Sequence, residues 1–232
     1  MSTKGMKQGN KGIRGVVIEW EGVAVDVRVP MANALKKALK SDFSDALTHG
    51  FLCRHLVFSA PARVAFSVAE DLGLRSSARD ALEKGLAEAR DKALGSGRDG
   101  LRPGVVSFLR QAADHKVDLK VVARLETEAW ENYVSGWGLE SMKIGFLPWE
   151  VDRDKAFPEG WARVAGELEY PASACVAVVG SDAACYSALS AGFRSIGVPD
   201  RYTRHHGFSG SDGVFETPEE IDLKEATGIG VP

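Results

Sequence analysis

Gly15-Val16-Val17-Ile18-Glu19-Trp20-Glu21-Gly22-Val23-Ala24-Val25-Asp26 is the stretch on which the fold turns. An apolar run stops abruptly at two acids spaced i, i+2, and a glycine follows. A short apolar run bounded by a turn signal reads as a strand buried on both faces. In open α/β folds, ligands bind outside the carboxyl ends of such strands. The pattern therefore places Glu19 and Glu21 at the open end of a sheet.

Outward from this strand the chain alternates. Residues 31–95 are helical in pattern and hold no strong strand: Ala34, Leu35, Ala38 and Leu39 recur at helical spacing, as do Leu82, Leu86 and Ala89. Gly95–Gly100 is a loop, and Arg102-Pro103-Gly104 opens a helix over Val105–His115. A strand over Val117–Val122 and a helix over Thr127–Gly136 follow. Residues 142–160 read as irregular, with Pro148 and Pro158. Next come a helix over Gly160–Leu168, a strand over Cys175–Val179, a helix over Ala183–Ala191 and a short strand over Arg194–Val198. Thr217-Pro218-Glu219-Glu220 is a helix-start signal. Strand–helix alternation argues an α/β fold whose parallel sheet is covered by helices on both faces. There is no internal repeat.

The chain has 232 residues, enough for one core with an inserted module. With 44% hydrophobic and 26% charged residues its composition is that of a soluble protein. A net charge of −3 argues against nucleic acid as a bulk partner. No apolar run is long enough to span a membrane. Cys53, Cys175 and Cys185 are odd in number and lack Cys-x-x-Cys spacing, which points to a reducing compartment: the cytoplasm, or an organelle interior if the N-terminus is processed. Residues 1–14 read as a flexible basic tail rather than a secretory signal.

Four segments, in order, carry a family resemblance. The first is the opening stretch, similar to an apolar run followed by Asp-x-Asp-Gly-x-(Leu/Val)-x-Asp, with both leading aspartates replaced by Glu19 and Glu21. The others are Leu101-Arg102-Pro103-Gly104-Val105, Lys155-Ala156-Phe157-Pro158-Glu159-Gly160-Trp161 and Ala188–Val198. Together they resemble the haloacid dehalogenase superfamily, in its β-phosphoglucomutase and CbbY-like branch, over about residues 15–222. The resemblance implies a HAD-like Rossmannoid core, residues 15–30 and 98–232, with a helical cap inserted over 31–97.

The resemblance also implies roles. The family's first Asp attacks phosphorus and binds magnesium; the second is the general acid and base. A Ser or Thr after the second strand and a Lys hold the phosphoryl group, and acids after a later strand complete the metal site. Here Glu19 and Glu21 take the first two positions, each one methylene longer. In-line attack tolerates little displacement, and a misplacement of about 1 Å can cost about 10²-fold in rate. Ala123 stands at the hydroxyl position and offers no donor, while Arg124 beside it offers a bidentate grip on phosphate. Lys155 keeps the family's residue. Gly180-Ser181 lacks the acids expected there, and Asp182 comes one residue late.

The changes fall on the chemistry while the framework stays readable. The expectation is a HAD-like protein without phosphatase catalysis, serving as a binding or structural subunit of a larger assembly or as a sensor of a phosphorylated small molecule. It needs no cofactor. The alternative is a magnesium-dependent phosphatase acting on a phosphosugar or similar small phosphoester. Its catalytic residues are Glu19, Glu21 and Lys155, its phosphate contacts Ala123, Arg124 and Lys155, and its metal set Glu19, Glu21 and Asp182.

Some residues admit two readings. Trp20, Trp130, Trp137, Phe146 and Trp149 fit core packing, or, for the last four, a partner-binding patch. His205-His206 reads as a surface turn rather than a metal site. Cys185 reads as structural, and Cys53 falls in the cap with no evident base beside it.

Overall fold

In the computed structural model residues 13–57, 59–148 and 158–223 are described. The strands among them are β1 (Gly15–Glu19), β2 (Asp118–Ala123), β3 (Ile144–Pro148), β4 (Cys175–Val179), β5 (Arg194–Gly197) and β6 (Gly213–Val214). They form one sheet in the order β3-β2-β1-β4-β5-β6, parallel throughout. The order runs one way from β1 to β3 and the other way from β4 to β6, so the switch point lies between β1 and β4. That is where an open parallel sheet leaves a crevice.

Four α-helices lie in sequence between β1 and the Arg102-Pro103-Gly104 segment: α1 (Arg28–Phe43), α2 (His49–His55), α3 (Pro61–Leu72) and α4 (Ser76–Leu94). α4 packs on both α1 and α3. The rest are α5 (Val105–Asp114), α6 (Thr127–Trp137), α7 (Pro158–Gly166) and α8 (Asp182–Ser190).

Alternating strand residues bury into two separate clusters. Val16 and Ile18 of β1, Leu119 and Val121 of β2, and Val176 and Val178 of β4 face Val105, Phe108, Leu109 and Ala112 of α5. Val17, Val122, Ala177 and Val179 face Trp161 and Val164 of α7 and Ala184, Cys185 and Ala188 of α8. The period of two sends neighbours to opposite faces, and helices on both faces make both sets apolar. This is why β1 and β4 read as unbroken apolar runs.

Residues 142–160, expected to be irregular, contain β3 and the start of α7. β3 escapes sequence reading because Gly145 and Pro148 are poor strand residues. As an edge strand it tolerates both. Pro148 ends the strand opposite Ala123, and Gly145 makes room for the Lys120 side chain, whose Cδ would lie 2.5 Å from a Cβ there. The Thr217 signal gives only a single 3-10 turn over Pro218–Glu220, closed by a capping box with Glu220.

Of the aromatic residues expected either in the core or on a patch, the described ones pack in the core. Trp20 packs edge-on to Trp130 at 5.1 Å and against Trp137 at 4.9 Å, and Trp130 stacks on the partly buried Phe146 at 4.8 Å. Trp149 lies outside the described residues. This cluster fixes the residue between the two acids, so it couples α6 to the geometry of the site. Trp137 is fully buried. Replacing it with alanine is expected to cost about 3–5 kcal/mol of stability, measured by urea denaturation followed by circular dichroism.

Candidate functional site

Glu19 ends β1, and the chain then turns tightly: the Val25 N–H returns to Trp20 O at 3.0 Å and the Gly22 N–H to Val25 O at 2.8 Å. Gly22 adopts φ +95°, a conformation that side-chain-bearing residues rarely take. Arg102, from the Arg-Pro-Gly segment, clamps this turn. Its backbone N–H donates to Ala24 O at 2.8 Å, and its guanidinium donates to Gly22 O at 2.5 Å and Pro199 O at 2.8 Å.

Both acids sit at the carboxyl end of the sheet, as expected, and both are buried. Glu19 Oε2 accepts the Gly180 N–H at 3.0 Å, directly across the β1–β4 switch point. Glu21 Oε2 accepts the Arg124 N–H at 3.2 Å, just past β2. Backbone donors from the two flanking strand ends thus hold the two carboxylates.

Ala123 is buried at the end of β2 and presents only a methyl group. Arg124 is also buried, and its Nη1 donates to Ser59 Oγ at 3.0 Å, in the loop between α2 and α3. Asp182 is exposed in the first turn of α8, where its N–H donates to His206 Nδ1 at 3.1 Å. Ser181, beside it, is buried and caps the helix by accepting the Ala184 N–H. The structure therefore brings Glu19, Glu21, Ala123 and Arg124 to the carboxyl end of the sheet and leaves Asp182 at the surface. Lys155 lies outside the described residues.

Arg28 and Asp200 are additions that sequence reading did not single out. Arg28 begins α1 and is 1% exposed. Its Nη1 bonds Asp200 Oδ2 at 2.7 Å, and its Nε donates to Leu56 O at 2.7 Å. The guanidinium lies against Gly22, and Nη1 is 3.6 Å from the Cβ position of Gly180. Asp200 Oδ1 accepts the Tyr202 N–H at 2.8 Å. The available sequence signals were an arginine in the otherwise apolar run Val27-Arg28-Val29 and an acid directly after a buried strand, Val198-Pro199-Asp200.

Burial works against both charges of this pair. For Arg28, Asp200, Glu19 and Asp26 outweigh burial and hold the guanidinium above its ordinary value. For Asp200, Arg28 and the Tyr202 N–H outweigh burial and hold the carboxyl below the usual range. Asp26 goes the other way: burial, opposed by the Val29 N–H and aided by Asp200, raises it.

The described residues do not fit a magnesium ion, which demands near-octahedral oxygen ligation. Glu19 is turned to a backbone N–H, Asp182 is at the surface, and a guanidinium already lies beside Gly22 and Gly180. Among the described residues no three His, Cys, Asp or Glu side chains group to hold a metal. A cleft of about 560 Å³ opens near the Arg28–Asp200 pair, walled by Asp26, Arg102, Asp200, Arg201, Arg204 and Phe215; neither Glu19 nor Glu21 lines it.

Cys53 does have a base beside it, contrary to expectation: His49 Nε2, one helical turn earlier, is 3.4 Å from Sγ. Burial nevertheless raises the Cys53 thiol, with Asp200 adding to the effect, so it stays protonated. Cys185 is buried in α8 and its thiol is likewise raised, chiefly by burial. His206 is half-buried rather than a plain surface residue. Burial, then the neighbouring His205, lowers its value, in keeping with an Nδ1 that accepts a hydrogen bond.

Asp200→Asn is expected to cost about 3–5 kcal/mol at pH 7, because it leaves Arg28 buried without its counter-charge. A carboxyl depressed in the folded state stabilises above its unfolded value of about 3.9 and loses that contribution as pH falls through the folded value. The gap between wild type and the asparagine variant should therefore narrow below about pH 4 in urea titrations.

No family model and no curated protein matches the chain. Solved structures do. CbbY from Rhodobacter sphaeroides, a D10N mutant in complex with xylulose-(1,5)bisphosphate, is 19% identical with TM-score 0.68, covering 90% of this chain and 96% of that one. β-Phosphoglucomutase from Clostridium difficile is 14% identical with TM-score 0.69, covering 93% and 97%. A HAD family hydrolase from Deinococcus radiodurans with bound phosphate and sodium is 18% identical with TM-score 0.66, covering 93% and 97%. At such identities the likeness establishes the fold: this chain has the HAD-like architecture of these proteins.

Proposed function

We propose that the chain is a HAD-like protein that works by binding, as a structural subunit of a larger assembly or a sensor of a phosphorylated small molecule, and does not carry out the phosphatase reaction. One observation carries the reading. The two carboxylates where chemistry would occur are buried and face backbone donors, with the Arg28 guanidinium lying against Gly22, the residue after Glu21. A nucleophile must reach the phosphorus in line, and an acid must reach the leaving oxygen. The extra methylene of each glutamate and the missing hydroxyl at Ala123 act in the same direction. On this reading residues 31–97 form a cap over a core of residues 15–30 and 98–232. Arg124 and Lys155 are the residues that would meet an anion.

A second reading, a magnesium-dependent phosphatase acting on a phosphosugar or similar small phosphoester, has its own support. Similar solved structures include a sugar-bisphosphate complex, a β-phosphoglucomutase and a predicted phosphoglycolate phosphatase. The fold comparisons favour this reading more directly than the first; the local geometry favours the first. In the second reading Glu19 is the nucleophile, Glu21 the acid and base, and Lys155 the charge partner.

Turnover of a panel of phosphosugars and an aryl phosphate, with magnesium and with chelator, decides between them. Wild type is expected to match Glu19→Gln. Magnesium-dependent turnover that disappears in Glu19→Gln would establish the phosphatase. Reverting Glu19→Asp alone is expected to leave rates at background, because Ala123 still lacks a hydroxyl and Ser181 a carboxylate. Robust activity from that single change would show that the geometry is more permissive than argued.

A further inference from the structure

We propose that the Arg28 guanidinium is the resident cation of this site: it excludes a divalent metal and bolts the α2–α3 loop onto the carboxyl end of the sheet. The inference goes beyond the functional reading, because it concerns what the acid cluster binds under either alternative.

Three sets of contacts carry it. The first is charge. Arg28 pairs with Asp200 at 2.7 Å, with Glu19 and Asp26 within its field. These carboxylates need a positive charge in a place where water is largely excluded, and an arginine on the chain itself supplies one at fixed geometry. The second is space. A side chain at Gly22 would strike Nη1, and Gly180 lies alongside, so the guanidinium fills the gap between the turn after β1 and the end of β4. A metal ion would have to displace a cation that cannot leave. The third is direction. The other arms of the fork turn away from the acids: Nε donates to Leu56 O at 2.7 Å and Nη2 to Val57 O at 3.4 Å.

Arg124 repeats the arrangement. It is buried beside Glu21 and reaches Ser59 Oγ from the sheet side. Two guanidiniums rooted near the acids therefore meet the same short loop after α2. A fork that satisfies a carboxylate and carbonyls together suits guanidinium and not the point charge of a lysine.

The first test uses the wild-type protein and manganese as a spin probe. With equimolar protein, the six-line spectrum of aqueous manganese should keep its full amplitude. The thermal midpoint should be the same in magnesium and in chelator, since any ion bound only by the native state would raise it. Loss of the manganese signal, or a magnesium-dependent rise in the midpoint, overturns the exclusion.

The second test is hydrogen exchange across Leu52–Val57 in Arg28→Met and Arg28→Lys. Exchange there should quicken by about tenfold or more in Arg28→Met, with α5 and β2 unchanged, and Arg28→Lys should recover only part of the protection. Unchanged exchange in the methionine variant overturns the bolt. If that variant does not fold, the manganese result on wild type still decides the exclusion. The two proposals fail separately. Turnover that persists in chelator would defeat the binding-protein reading and leave this one standing; manganese binding without turnover would do the reverse.

Discussion

Charge cannot be left unpaired inside a protein, and at the carboxyl end of this sheet five charged side chains are buried together. Glu19, Glu21, Arg28, Arg124 and Asp200 are each 4% exposed or less. Desolvating any one of them is costly unless its hydrogen-bonding capacity is met. That constraint accounts for the local architecture. Glu19 is met by β4's end, Glu21 by β2's end, and Arg28 by both the loop after β5 and the loop after α2. Arg102 satisfies the carbonyls of the turn and of Pro199. The result joins four strand ends and a helical connection into one polar network.

The apolar framework makes such a network possible. Two cores lie on either face of the sheet, and the tryptophan cluster under α6 pins the residue between the acids. Rigid strand ends present backbone N–H groups in fixed directions, and these help orient the carboxylates. A scaffold of this kind hosts many chemistries, and the fold alone does not choose among them. In this chain a buried arginine, Arg28, pairs with Asp200 and lies within the field of Glu19 and Asp26.

Much of this was legible in sequence. Strands β1 and β4 stood out because strands covered on both faces need continuous apolar runs, and the helical stretch that follows β1 showed its periodicity. β3 was not legible, because an edge strand can carry Gly145 and Pro148, the residues that usually mark its absence. At the site, Glu19 and Glu21 were singled out by the strand that ends in them, and Ala123 and Arg124 through the family resemblance. Arg28 and Asp200 were not, because they lie 172 residues apart and only folding makes them neighbours.

Local patterning suffices for the fold class, the strand that carries the acids, and the identities of the groups at the carboxyl end of the sheet. These follow from local patterns: runs, periods and turns. Which way those groups face, and what pairs with them, follows from the folded arrangement. Burial, partner and direction are properties of chain segments brought together across long separations, and no local spacing encodes them. Arg28 is one charge among 29 Lys and Arg residues until the loops after β5 and α2 close around it.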